Sequence, residues 1–82
     1  MPAMPDPKGR SIYRVQVGAF SSTAFAQECF DKLKSAGFSP AFERNGTIYR
    51  VVVSGVRAAD MAQVAQRLGN AGFSEAWVRE EN

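Results

Sequence analysis

Histidine is absent from the chain, so the usual general base and the commonest imidazole metal ligand are both missing. A single cysteine, Cys29, excludes an internal disulfide and any multi-cysteine metal site. No pair of carboxylates is spaced for general acid–base chemistry, and Glu80 and Glu81 read as a solvated tail. No GxGxxG or phosphate-loop pattern occurs. A hydrolase is therefore the weakest reading, and neither catalytic residues, metal nor cofactor is expected. Charge of one sign is also scarce. Ten basic and eight acidic residues leave +2 and are interspersed, which argues against a nucleic-acid partner. No apolar run approaches the roughly 20 residues of a membrane span, so no direct membrane insertion is expected. No apolar stretch follows the N-terminal charges, so no signal peptide is expected in this chain either.

Proline is confined almost entirely to one end. Three of the four prolines fall within Met1 to Arg10, a segment that reads as a linker or cloning remnant. The folded domain is expected over 11–80. Apolar residues form 45% of the chain and charged residues 22%, the mix of a globular domain with one core. A chain of this size buries roughly 60% of its surface on folding. It reads as an excised module whose address and anchor lie outside it.

An internal repeat organises the remainder. Tyr13-Arg14-Val15-Gln16-Val17 returns as Tyr49-Arg50-Val51-Val52-Val53, and Ala36-Gly37-Phe38-Ser39 returns as Ala71-Gly72-Phe73-Ser74. The spacing is 36 for the first pair and 35 for the second, read directly from those numbers. Tyr13, Val15 and Val17 alternate with Arg14, Gln16 and Gly18, the period-2 signature of a strand buried on one face. Tyr49, Val51 and Val53 alternate likewise, except that Val52 makes the second copy apolar on both faces.

Ser21, Ser22 and Thr23 are N-cap candidates for a helix ending near Ala36, with Gly37 as its stop. Ala26, Cys29, Phe30 and Leu33 lie at i, i+3, i+4, i+7, and Met61, Val64, Ala65 and Leu68 repeat that stripe on a second helix. Cys29 on this stripe reads as a small buried hydrophobe. Phe38 to Arg44 and Phe73 to Arg79 are expected as short second strands. Asn45-Gly46 suits a type I′ hairpin between the second and third strands. The order β-α-β-β-α-β makes an α+β fold of the ferredoxin/RNP-like kind. Its four-stranded antiparallel sheet has the first and third strands central and two helices on one face.

The other face is left open. If the valines point at the helices, Arg14, Gln16, Arg50, Val52 and Ser54 point away from them. Forked guanidinium donors, an amide, a hydroxyl and a small apolar floor suit neutral polyols and acetamido groups as well as anions. An ordinary solvated sheet face would carry the same residue types. Trp77 lies on the last strand with Phe42 as its repeat partner. Its neighbours Ala76 and Val78 favour the core, which turns Trp77 outward, whereas the shared parity with Phe73 turns it inward. Tyr13 and Tyr49 read as core or core-edge residues.

The stretch Tyr13 to Phe20, YRVQVGAF, with its serine-capped helix ending in Ser35-Ala36-Gly37-Phe38, resembles the SPOR domain family. Tyr49-Arg50-Val51, Val53 and Ala71-Gly72-Phe73 complete the pattern, and the likeness runs from about Ile12 to Arg79. The resemblance implies a non-catalytic peptidoglycan-binding module. Such modules recognise denuded glycan, strands whose stem peptides amidases have removed, and target a parent protein to the division septum in the periplasm. It implies glycan binding on the open face through Gln16, with Arg14, Arg50, Ser54, Trp77 and Val52 sharing the surface. Two positions depart from the family pattern. Ser54-Gly55-Val56 replaces a glycine–proline–phenylalanine, and Phe25 replaces an asparagine, either beside the glycan groove or over the core edge. Two other readings stand beside this one: an RNA-binding module on a similar fold, and a dimerisation domain using Val52 and Trp77. A monomer is expected.

Overall fold

The computed structural model describes residues 8–73 and 75–81. Of the expected linker, residues 1–7 lie outside the described residues, as does Ser74 of the second repeat motif. The elements are β1 (Ile12–Phe20), α1 (Thr23–Ser35), β2 (Pro40–Asn45), β3 (Ile48–Arg57), a 3-10 turn (Ala58–Asp60), α2 (Met61–Asn70) and β4 (Trp77–Glu81). The sheet order is β2-β3-β1-β4 and every neighbouring pair is antiparallel. The fold is thus the α+β arrangement expected from the periodicities, with β1 and β3 central.

The helix stripes fill the core. Leu33, Leu68 and Val51 are fully buried, and Met61 and Val15 nearly so. They cluster with Ala26, Cys29, Val17, Val53, Val56 and Ala76, while Tyr13, Phe30, Tyr49, Val64, Phe73 and Val78 pack around the edge. Each fully buried Leu, Val or Met adds about 1.5–3 kcal/mol of transfer free energy, an upper estimate before chain entropy is subtracted. Ser22 caps α1, its hydroxyl accepting the Phe25 N–H at 3.4 Å.

Both helices end in the same device, which also delays the second strands. Gly37 and Gly72 adopt φ of 92° and 95°, a left-handed conformation that lacks a Cβ penalty only in glycine. The N–H of Phe38 then donates to the Leu33 carbonyl at 3.0 Å, and that of Phe73 to the Leu68 carbonyl at 2.9 Å. These are the long-range bonds of a Schellman cap, with an apolar residue folded back onto the helix. Phe38 and Phe73 therefore belong to the caps, and the strands begin only at Pro40 and Trp77. Arg67 of α2 reinforces the first cap. It donates to the Ala36 carbonyl at 3.0 Å and lies 4.4 Å from the Phe38 ring centroid.

Three local features differ from the sequence expectation. The hairpin loop is Gly46-Thr47, flanked by the Asn45–Ile48 pair, with Gly46 at φ 62° and no described non-glycine residue at positive φ. That fits a type II′ turn, which needs a positive φ at its first central residue only, and corrects type I′. In β1, Gln16 faces Val52 but Gly18 faces Val51, so Val17 is an extra residue and the strand bulges. The bulge turns Gly18 to the helix side, where a Cβ would stand 2.7 Å from the Phe20 ring and 3.6 Å from Cys29 Sγ. Gly18 is therefore not an open-face residue. In β3, Ser54 and Gly55 together oppose Arg14, and Gly55 takes φ 72° to make that second bulge.

The repeat register is corrected as well. Trp77 pairs with Gln16 and Ala41 pairs with Val52, so the structural counterpart of Trp77 is Ala41 and not Phe42. Phe42 pairs with Val51 on the helix side and stacks on Phe30, the ring centroids 4.6 Å apart. The second copy carries one extra residue between its helix cap and its last strand, which restores the 36-residue spacing of the strands.

Candidate functional site

Register defines the open face row by row. Ala41, Val52, Gln16 and Trp77 form a line across all four strands, each directly opposite the next. One row along, Glu43 faces Arg50, which faces Ala19; in the other direction Arg14 faces Arg79. The twist of the sheet and the length of these side chains leave an open groove of about 370 Å³, lined by Arg14, Gln16, Arg50, Trp77, Val78 and Arg79.

Four of the six candidates read from the sequence meet there: Arg14, Gln16, Arg50 and Trp77. Trp77 is 67% exposed, because Ala76 and Val78 occupy the inward positions of its strand. The other two lie apart. Val52 is 2% exposed, although it belongs to the open-face row and not to the helix-side core. Ser54 is exposed in the β3 bulge and does not line the groove.

An ion-pair network accounts for the burial of Val52. Arg14 donates to Glu43 Oε2, and Arg79 Nη2 donates to Glu43 Oε1 at 3.3 Å. Glu43 sits one row from Val52 on one side and Arg14 one row away on the other, so their contact crosses diagonally above Val52. Arg14 Nε also stands 3.7 Å from Glu81 Oε1, an ion-pair separation too long for a hydrogen bond, and this nitrogen is buried without one. Glu81 instead accepts from the N–H of Gly55 at 3.0 Å, the amide that the β3 bulge takes out of the ladder. Partial exposure keeps these pairs modest in energy; their effect is to position side chains and commit charge.

Of the three arginines lining the groove, Arg14 and Arg79 are thus engaged by Glu43. The Arg50 side chain makes no hydrogen bond or ion pair among the described residues. The groove presents an aromatic face, an amide with donor and acceptor, and one uncommitted guanidinium fork, a set suited to a sugar ring, its polar substituents and an anion. Among the described residues no three His, Cys, Asp or Glu side chains gather to hold a metal, and no helix is long and apolar enough to cross a membrane.

Arg79 and Glu43 escaped the sequence reading. Alternation from Trp77 places Arg79 on its face, so that signal was present. Glu43 was hidden by the misassigned partnership of Phe42 with Trp77, which turned β2 over. Phe25, the departure on α1, is 63% exposed and lies with Val17, Phe20 and Cys29 on the helix side, away from this groove.

No curated protein matches the chain. Among solved structures it is similar to the solution structure of the peptidoglycan binding domain of the B. subtilis cell wall lytic enzyme CwlC, at TM-score 0.74 and 26% identity. That likeness covers 96% of this chain and 100% of the other. The SPOR domain family model matches residues 9–80, nearly the whole length, and the chain belongs to the SPOR domain family.

Proposed function

We propose that this domain is a non-catalytic peptidoglycan-binding module that recognises denuded glycan strands and targets its parent protein to the division septum. The observation that carries the reading is the exposed Trp77 directly opposite Gln16 at the groove. An indole face stacks on the apolar face of a pyranose, and the adjacent amide can donate to and accept from hydroxyl or acetamido groups. Membership of the SPOR family and the likeness to a peptidoglycan binding domain support the same assignment. In this proposal Gln16, Arg14, Arg50 and Trp77 contact glycan, with Arg79 beside them. Val52 is the floor beneath the ion pairs, and Ser54 stands at the edge. The module acts as a monomer in the periplasm, on the septal wall.

Retention on purified sacculi before and after amidase treatment tests this. Strong retention is expected only after treatment. Equal retention on both, or none on either, overturns the denuded-glycan assignment. A fluorescent fusion of the domain exported to the periplasm should collect at the septum, and uniform envelope labelling would overturn the targeting.

A further inference from the structure

Among the groove's three guanidinium groups, two are already answered by a carboxylate of the chain itself. Glu43 accepts from Arg14 through one oxygen and from Arg79 through the other. Arg50 is directly opposite Glu43 in register, yet Glu43 spends both oxygens elsewhere, and Arg50 lines the groove without an ion pair among the described residues. A guanidinium fork next to an aromatic platform, with its intramolecular carboxylate diverted, is a vacant site for a carboxylate on a ligand.

The ligand of the proposed function carries such a group. An amidase hydrolyses the amide joining the lactyl side arm of muramic acid to the first residue of the stem peptide. The peptide leaves with an amine, and a carboxylate remains on the sugar. Intact strands have at that position a neutral amide followed by a peptide, so a denuded strand differs both in lacking the peptide and in carrying a negative charge held close to the ring.

We infer that Arg50 reads the freed lactyl carboxylate of muramic acid while the sugar chain lies against Trp77 and Gln16. This rests on the glycan reading above and deepens it, because it names the chemical group that separates denuded from peptide-bearing strands. The geometry is compatible with it. Arg50 lies two strands from Trp77 and one row along, about 12 Å at the backbone from strand spacing and rise, and both side chains lean into one groove. That separation lets one ring stack while a substituent of a neighbouring ring reaches the guanidinium. Glu43 supports discrimination in a second way: by engaging both Arg14 and Arg79 it leaves Arg50 as the groove guanidinium with no carboxylate partner among the described residues.

Three ligands separate the possibilities, all measured with the full chain. The first is amidase-treated glycan; the second is the same glycan with its carboxylates converted to neutral N-methylamides by carbodiimide coupling; the third is a chitin oligosaccharide, which has no lactyl arm. The expected result is binding to the first at least about tenfold tighter than to the second or third, the scale of one charge-assisted contact. Arg50→Gln should abolish the preference for the free-acid glycan over the amidated one, while Arg50→Lys retains part of that preference. Equal binding of the free-acid and amidated strands by the unaltered chain overturns the carboxylate subsite, and needs no variant to fold. An equal loss on both glycans in Arg50→Gln overturns the assignment to Arg50. Binding to none of the three overturns the glycan reading itself.

Discussion

Gln16 on β1 stands directly opposite Trp77 on β4, and the pair joins a half-buried amide to an indole that is 67% exposed. Neither residue is needed to fill the core. Trp77→Ala should therefore leave the thermal midpoint within about 2–3 °C of the unaltered domain, since surface changes are usually within about 0.5 kcal/mol. Glycan affinity should fall at least about tenfold, the loss expected for an aromatic anchor at the centre of a contact. Titration of denuded glycan alongside a melting curve checks both, and a variant that melts early without losing affinity would contradict the placement.

Gly18 is required by packing and not by backbone conformation. A Cβ there would come 2.7 Å from the Phe20 ring, which could yield only by swinging out of its place at the core edge. Gly18→Ala should destabilise the domain by roughly 1–3 kcal/mol, the cost of overpacking a tight site. In a domain of this length that lowers the midpoint by about 4–8 °C per kcal/mol, measurable by calorimetry. An unchanged midpoint would show that the Phe20 ring gives way without cost and that packing does not require glycine here.

Glu43 holds Arg14 and Arg79 against the sheet and offsets their charge. Glu43→Gln removes the carboxylate charge shared by both guanidinium groups, leaving Arg14 with only the longer Glu81 pair, and makes the domain one unit more positive. The variant should elute from a heparin column at higher salt than the unaltered chain, because more ion contacts form with a polyanion. Its denaturation midpoint should move little, as partly exposed pairs contribute about 0–1 kcal/mol. Co-elution of the two proteins would show that Arg14 and Arg79 are already available.

Cys29 is buried at 6% exposure, and desolvation raises its thiol pKa against a smaller opposing effect of Lys32. A raised folded-state value means that the neutral thiol contributes stability fully below the unfolded value of about 8.5, and that this is lost as pH rises through the folded value. Between neutral pH and about 9.5, the unaltered domain should lose more urea resistance than Cys29→Ala, the difference isolating this thiol from other titrating groups. The thiol should react with an aromatic disulfide reagent slowly in the native state and rapidly in denaturant. Equal rates would contradict its burial.

Periodicity and the repeat were enough to read both helices, the sheet order and the helix-facing valines, since each depends on local alternation and on which faces can be buried. Ala26, Cys29 and Leu33 on α1, and Met61 and Leu68 on α2, are buried as their spacing implies. Strand onset was misread at Phe38 and Phe73, because the same apolar residue can begin a strand or fold back onto a helix end. Parity failed where it must fail, at a bulge: one extra residue at Val17 carries Gly18 across the sheet, and nothing in the composition of YRVQVGAF announces it.

The chain's own sequence determined the architecture of two repeated copies in one sheet, their glycine caps, and an outward face containing Arg14, Gln16 and Arg50, because short-range periodicity and burial dictate all three. Only the tertiary structure decided which of those groups a ligand can reach. Register brings Glu43 of one edge strand to Arg14 and to Arg79 of the other, and long side chains cross intervening strands in a way no linear spacing records. That crossing buries Val52, occupies two arginines, and leaves Arg50 beside Trp77 and Gln16 as the uncommitted charge.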